Sequence, residues 1–301
     1  TNIFYLFYTQ ITLHYNVYDG NYIVRLYGIT QDPETKNYMM VLRYAENGSL
    51  RNYLNTNTLS WKDKINNLYY VACGLNSIHK NELVHRDLHI GNILSTAYNP
   101  LITDMGLCKP ADYKNNTKNK NDIFGVLPYV APEILRGQNY TKAADIYSFG
   151  IIMYEVISGL PPYHDVSHDN YLAIKICQGL RPTFNIKVPQ LIVDLIKRCL
   201  DANPLNRPTA NEINDILNIW YDDLHYSTSK TEIGKQIKEA DEINNNSPAT
   251  SSKSPSTSLG ISHSEAIYTS RLLNFNNLPE PKNSEDYYKQ NDNIISKEFS
   301  S

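Results

Sequence analysis

The stretch HRDLHIGNIL, His85 to Leu94, decides how this chain is read. It places a base, an acid and an amide (Arg86, Asp87 and Asn92) among apolar neighbours. Downstream, Asp104-Met105-Gly106, Ala131-Pro132-Glu133, DIYSFG (Asp145–Gly150) and Asn206-Arg207-Pro208 follow in that order. Any one of these groups can be read as a turn in a helical protein. The ordered series cannot.

The flanking pattern is helical from Ser49 to about Leu224. In LSWKDKINNLYYVACGLNSIHK, Ile65, Leu68, Ala72, Leu75 and Ile78 recur at three- and four-residue spacing, behind Ser60 and Asp63 in capping-box positions. TKAADIYSFGIIMYEVISG is apolar nearly all round and stops at Gly159, the pattern of a helix buried in the middle of a domain. QLIVDLIKRCL and TANEINDILNIWYDDL read as two amphipathic helices, the second opened by Thr209. Residues 1 to about 45 read differently. NYIVRLYGIT and NYMMVLRYA are strand-like and the cluster QDPETKN separates them, which is a hairpin signal. A small strand layer feeding a larger helical part implies two lobes with a cleft between them. Beyond about residue 225, TEIGKQIKEADEIN carries Ile233, Ile237 and Ile243 on one side, as a helix packed back on the lobe or folded alone. NNNSPATSSKSPSTS is a polar linker that cannot bury enough apolar surface to order itself, so 225–301 is expected to be a mostly disordered tail. Within it, Ser247 and Ser254, each before Pro, are expected to be open to modification.

Composition narrows the class. The 301 residues are 41% hydrophobic and carry a net charge of −3, which gives no electrostatic footprint for nucleic acid or an anionic membrane. Cys73, Cys108, Cys177 and Cys199 are scattered without a C-x-x-C pair and read as reduced, hence intracellular and cytoplasmic. No apolar run approaches the ~20 residues of a membrane span. IFYLFY near the start has neither a basic flank nor a small-residue cleavage site, so it does not read as a signal peptide.

The series H-R-D-L-x-x-x-N, D-M-G and A-P-E resembles the protein-kinase catalytic domain, from about residue 20 to about residue 224. ENGSL and DIYSFG look most like its tyrosine-kinase-like group, whose members mostly phosphorylate Ser and Thr. The resemblance implies an α+β, two-lobed fold with a partial β-rich small lobe (about 1–45) and a complete helical large lobe (about 46–224). It also implies ATP and Mg²⁺ as cofactors and a protein substrate. By the same resemblance Asp87 accepts the proton of the attacking hydroxyl, while Asn92 and Asp104 offer hard oxygen ligands to Mg²⁺. Leu42 falls at the gatekeeper position, the backbone of Arg43 and Ala45 meets the adenine edge, and Leu94 packs beneath the ring. Arg86 pairs with a phosphate on the segment Lys109–Ile123, where Tyr113 and Thr117 are candidates. Glu133 forms a buried ion pair with Arg207, and Asp145 braces the catalytic loop through its backbone. Met105 replaces the usual Phe, a mild change because its flexible apolar side chain fills the same slot.

Three departures qualify the resemblance. The first lysine is Lys36, inside the hairpin turn, and Gly20 and Gly28 form no G-x-G-x-x-G, so the phosphate clamp of the small lobe is absent from these residues. Gln10 lies where the helix glutamate is expected. His89 and Val126 replace the usual Lys and Thr that touch the catalytic Asp; the histidine reads either as a second arrangement at that site or as a surface residue with no part in it. The expectation is a Ser/Thr kinase with weak or absent activity in this chain, its small lobe truncated or altered. The alternative is a pseudokinase scaffold or an allosteric binding module.

Overall fold

The computed structural model describes residues 11, 12, 14, 15, 17, 21–113, 123–226, 231–246 and 262–285. The expected hairpin forms. β1 (Leu26–Gln31) and β2 (Tyr38–Leu42) pair antiparallel around a turn in which Asp32 accepts from the backbone N–H of Glu34 and Thr35. A two-stranded sheet has no second layer of its own, and Tyr27, Ile29, Met39 and Val41 are accordingly exposed. The preceding stretch attaches it to the large lobe: Ile102 donates to the Tyr22 carbonyl and Val24 donates to the Ile102 carbonyl, both at 2.9 Å.

Ser49 opens α1 (Leu50–Thr56) by accepting from Asn52 N–H. α2 (Trp61–Lys80) starts at the Ser60–Asp63 capping box, which satisfies two helix-end donors reciprocally, and buries Ile65, Leu68, Ala72, Leu75 and Ile78 as their spacing requires. Short strands follow: β3 (Leu83–Val84), β4 (Ile93–Ser95), β5 (Pro100–Ile102) and β6 (Lys109–Pro110), with β4 on β5 and β3 on β6. β7 (Ile123–Gly125) leads into α3 (Pro132–Leu135).

α4 (Lys142–Ser158) is the axis of the lobe. Every residue from Ala144 to Ile157 is buried, and the helix ends where Gly159 takes a left-handed φ of 71° that a side chain would disfavour. Against it pack α2 and α6 (Gln190–Cys199), while α5 (Asn170–Cys177) packs on α3 and α7 (Ala210–Tyr226) follows. Thr209 caps α7 reciprocally with Glu212, and α7 lies along α2. Arg207 and Glu133 meet in a two-pronged ion pair of 2.7 and 2.8 Å, buried as expected between the α3 and α7 regions.

In 225–301 the isoleucine-striped helix forms as one of its two readings had it, and residues 262–285 differ from the expectation of a mostly disordered tail. α8 (Glu232–Asn246) packs back on the lobe: Ile233 and Ala240 are buried, and Trp61 of α2 donates to Asp241 at 2.8 Å. Residues 262–285 also lie against the lobe, and β8 (Arg271–Leu273) pairs with β7. Ser247, Ser254, Thr117 and Gln10 fall outside the described residues.

Candidate active site

β3 delivers the chain to His85, and α4 fixes what comes next. Asp145, 1% exposed, accepts from the backbone N–H of His85 (2.8 Å) and Arg86 (3.0 Å) and contacts His79 Nε2 at 2.9 Å. Arg86 is thereby held at φ 73°, a left-handed conformation that an arginine keeps only where its surroundings impose it. The loop is tied twice more. His85 Nδ1 accepts from Asp87 N–H (3.3 Å), which leaves the ring proton on Nε2 to be donated to the Thr103 carbonyl at 3.1 Å. Asn92 Nδ2 donates to the Asp87 carbonyl at 2.9 Å.

Asp87 is 8% exposed, and its burial pushes the carboxyl up from its ordinary value; the hydrogen bond from Ser270 and the proximity of His85 oppose that shift. His89 is buried beside it rather than on the surface. Burial, with the charges of Arg51 and His85, holds its imidazole down at about 3, so the ring is neutral at ordinary pH. Its Nδ1 accepts from Gly91 N–H (3.1 Å), which places the proton on Nε2, 3.8 Å from Asp87 Oδ1. The contact is therefore a neutral donor facing a carboxylate, not an ion pair.

The β4–β5 hairpin brings the two oxygen-bearing side chains to one corner. Ile93 pairs with Ile102, and Thr103 donates to the Asn92 carbonyl at 3.0 Å, so Asn92 and Asp104 flank the open end of the hairpin. Asp104 sits at φ 59° and is exposed, with Gly106 N–H donating to its Oδ1 at 3.2 Å. Met105 behind it is buried, as its apolar slot requires. No group of three or more His, Cys, Asp or Glu placed to hold a metal ion occurs among the described residues. One carboxylate and one amide suit Mg²⁺ nonetheless, which takes few protein ligands and completes its shell with water and phosphate oxygens. Asn92 commits its side-chain nitrogen to the Asp87 carbonyl, which leaves the amide oxygen as the atom a cation could use.

On the hairpin side, Leu42 ends β2, and Arg43 N–H donates to the Arg25 carbonyl at 2.8 Å. The Ala45 carbonyl accepts from Gly48 N–H (3.1 Å). The Arg43 N–H and the Ala45 carbonyl are thus engaged within the chain. Leu94 lies in β4, bridged to Ser49 at the start of α1.

The sequence matches the family described as protein tyrosine and serine/threonine kinase over residues 7–217. The chain belongs to that family. It is 32% identical to a Dictyostelium discoideum protein named "Probable serine/threonine-protein kinase" over 69% of this chain and 12% of that protein. Identity is 32% to a protein kinase and PP2C-like domain-containing protein of Arabidopsis thaliana, covering 61% of this chain and 33% of the relative. With the receptor-interacting serine/threonine-protein kinase 4 of Mus musculus it is 31%, covering 64% and 25%. The chain thus spans between about a tenth and a third of the length of these curated relatives.

Several site features of this kinase-family chain were not legible in its sequence. The Arg86 guanidinium lies 4.7 Å from the centre of the Tyr140 ring, and its Nε is buried without a hydrogen-bond partner among the described residues. Tyr113 is exposed, with Lys109 Nζ 5.5 Å from its ring. Arg51 of α1 forms a two-pronged ion pair with Glu155 of α4 (2.9 and 3.0 Å) and donates to the Tyr129 hydroxyl at 2.7 Å. Tyr129 packs on the His89 ring. Above all, Ser270 places its hydroxyl on Asp87. The signal available was IYTSRLL (Ile267–Leu273), a short β-prone run in an otherwise polar tail.

Proposed function

We propose that the chain transfers the γ-phosphoryl group of ATP to Ser/Thr hydroxyls of a protein substrate. The observation that carries this reading is the convergence of Asp87, Asn92 and Asp104 on one corner through a loop hydrogen-bonded to Asp145. Asp87 orients the attacking hydroxyl and receives its proton; its buried carboxylate is close enough to a hydroxyl to do both. Asn92 and Asp104 hold Mg²⁺, which when bound neutralises charge spreading over the transferring group. Leu42, Leu94, the Arg43 carbonyl and the Ala45 amide cradle the adenine. Arg86 supplies a charge to a phosphate on the Lys109–Ile123 segment. Cys73, Cys108, Cys177 and Cys199 stand outside disulfides, which supports an intracellular, reducing setting.

Transfer by these 301 residues is slow, because the sequence holds no glycine loop or strand lysine before Lys36. Each missing charge-assisted bond removes roughly 1.5–3 kcal/mol. A lysine and a few loop amides together remove ~3–6 kcal/mol, about two to four decades in phosphate binding or rate. That same absence favours a second reading, a pseudokinase scaffold.

Two variants separate the readings. Asp87→Asn is expected to lower phosphate transfer to a Ser/Thr peptide by orders of magnitude with Mg-ATP binding little changed. Asp104→Asn is expected to weaken Mg²⁺-dependent nucleotide binding, read by thermal shift. Wild-type protein that transfers no phosphate, and whose residual nucleotide binding ignores Asp104→Asn, would leave the scaffold reading in place of the kinase.

A further inference from the structure

β8 runs antiparallel to β7, with Gly125 opposite Arg271, Phe124 opposite Leu272 and Ile123 opposite Leu273. The residue just before that ladder is Ser270. Its Oγ lies 2.8 and 2.6 Å from the two carboxylate oxygens of Asp87 and 3.3 Å from His89 Nε2. Gly125, opposite Arg271, sits at φ 155°, and a Cβ there would meet Val130 Cγ2 at 2.9 Å.

The flanking contacts are specific. The Tyr268 hydroxyl donates to the Pro162 carbonyl at 2.9 Å, and the Arg51 guanidinium stands 4.4 Å over its ring. Arg271 donates to the His168 carbonyl, and Leu273 is 2% exposed. Further along, Lys282 donates to the Cys177 carbonyl (2.9 Å), and Ala202 N–H donates to Asn283 Oδ1 (2.7 Å). An extended peptide that adds a strand to an open edge, with side chains seated on either side, is a general mode of peptide recognition. Here the peptide belongs to the chain itself.

We propose that Ile267–Leu273 occupies the chain's own protein-substrate site and that Ser270 is a phosphoacceptor in cis. The inference rests on the kinase reading above and assigns that site its occupant. Ser270 Oγ attacks the γ-phosphorus of Mg-bound ATP. The Oγ–P bond forms as the bond from that phosphorus to the β,γ-bridging oxygen breaks, and ADP leaves with the electron pair. The hydroxyl proton passes to the Asp87 carboxylate. His89, as a neutral donor, steadies the serine oxygen in line. Holding the acceptor intramolecularly offsets weak nucleotide binding, and one turnover suffices. The product then undoes its own docking, because a phosphate of nearly two negative charges cannot remain against a buried carboxylate. The strap blocks protein substrates until Ser270 is modified.

The test uses the full chain. Incubated with Mg-ATP, it should gain a phosphate that tandem mass spectrometry places on Ser270, at a first-order rate independent of protein concentration and lost in Asp87→Asn. Independently of nucleotide, amides of Ile123–Gly125 and Arg271–Leu273 should exchange slowly. Ser270→Glu should speed that exchange by at least about tenfold while α4 stays protected. Fast exchange in wild type, or protection unchanged in Ser270→Glu, overturns the docking. Phosphate on an added Ser/Thr peptide but never on Ser270 overturns the acceptor assignment alone. Phosphate on neither, with the exchange behaving as expected, overturns that assignment together with the kinase reading.

Discussion

Asp145→Asn is expected to loosen the catalytic loop without emptying any volume. Oδ2 of Asp145 accepts from His85 N–H at 2.8 Å and meets His79 Nε2 at 2.9 Å, while Oδ1 accepts from Arg86 N–H at 3.0 Å. An amide of the same shape has one acceptor oxygen. Its nitrogen must face one of these donors, and the best orientation keeps the Oδ2 pair and turns NH₂ toward Arg86. The residue is 1% exposed, so water does not replace what is lost. One charge-assisted bond removed from a buried site costs roughly 1.5–3 kcal/mol, and weakening of the other two brings the total to about 3 kcal/mol. At about 2–4 °C per kcal/mol for a domain of this size, Tm should fall by about 6–12 °C. Thermal unfolding followed by circular dichroism measures the shift, and amide exchange at His85 and Arg86 localises it. A fall below about 2 °C with exchange at those amides unchanged would refute the claim that this carboxylate anchors the loop.

Two further outcomes follow from the buried charges. Arg207→Ala leaves Glu133 buried and unpaired and is expected to cost about 3–5 kcal/mol in urea unfolding, whereas Arg207→Met combined with Glu133→Leu recovers most of it. Equal losses in the single and double variants would show that the pair's packing, not its charge, is what matters. His89 is held at about 3 in the folded chain against 6.5 when unfolded. Between those values only the unfolded state takes up its proton, so stability falls as pH drops from 6.5 toward 3, by at most about 1.4 kcal/mol per pH unit. His89→Gln does not titrate. Its stability curve should therefore be flatter by that slope across the same window and parallel to wild type above it; parallel curves throughout would mean that the folded histidine protonates freely.

What the sequence by itself determined is local. The capping box at Ser60 and Asp63, the Gly159 terminus, the all-round apolar α4 and the β1–β2 hairpin depend on residues within a few positions of one another, and short-range hydrogen bonding and periodicity express them directly. The motifs around Asp87, Asn92 and Asp104 were legible as compact, ordered strings, and the roles of these residues came through family resemblance. The long-range partners Asp145 and Arg207 were reached through family resemblance, not through spacing. Only the tertiary structure decided the environment of His89. Its neutrality comes from burial and from Arg51, thirty-eight residues before it. The tertiary structure alone also brought Ser270 to Asp87, across 183 positions of chain. A polar linker predicts that residues after it gain little by ordering. It says nothing of an unpaired β7 edge and a buried carboxylate elsewhere in the fold, which give IYTSRLL backbone partners and a seat for Leu273. Whether a short β-prone run folds depends on that edge, and the edge exists only once the helical lobe has formed.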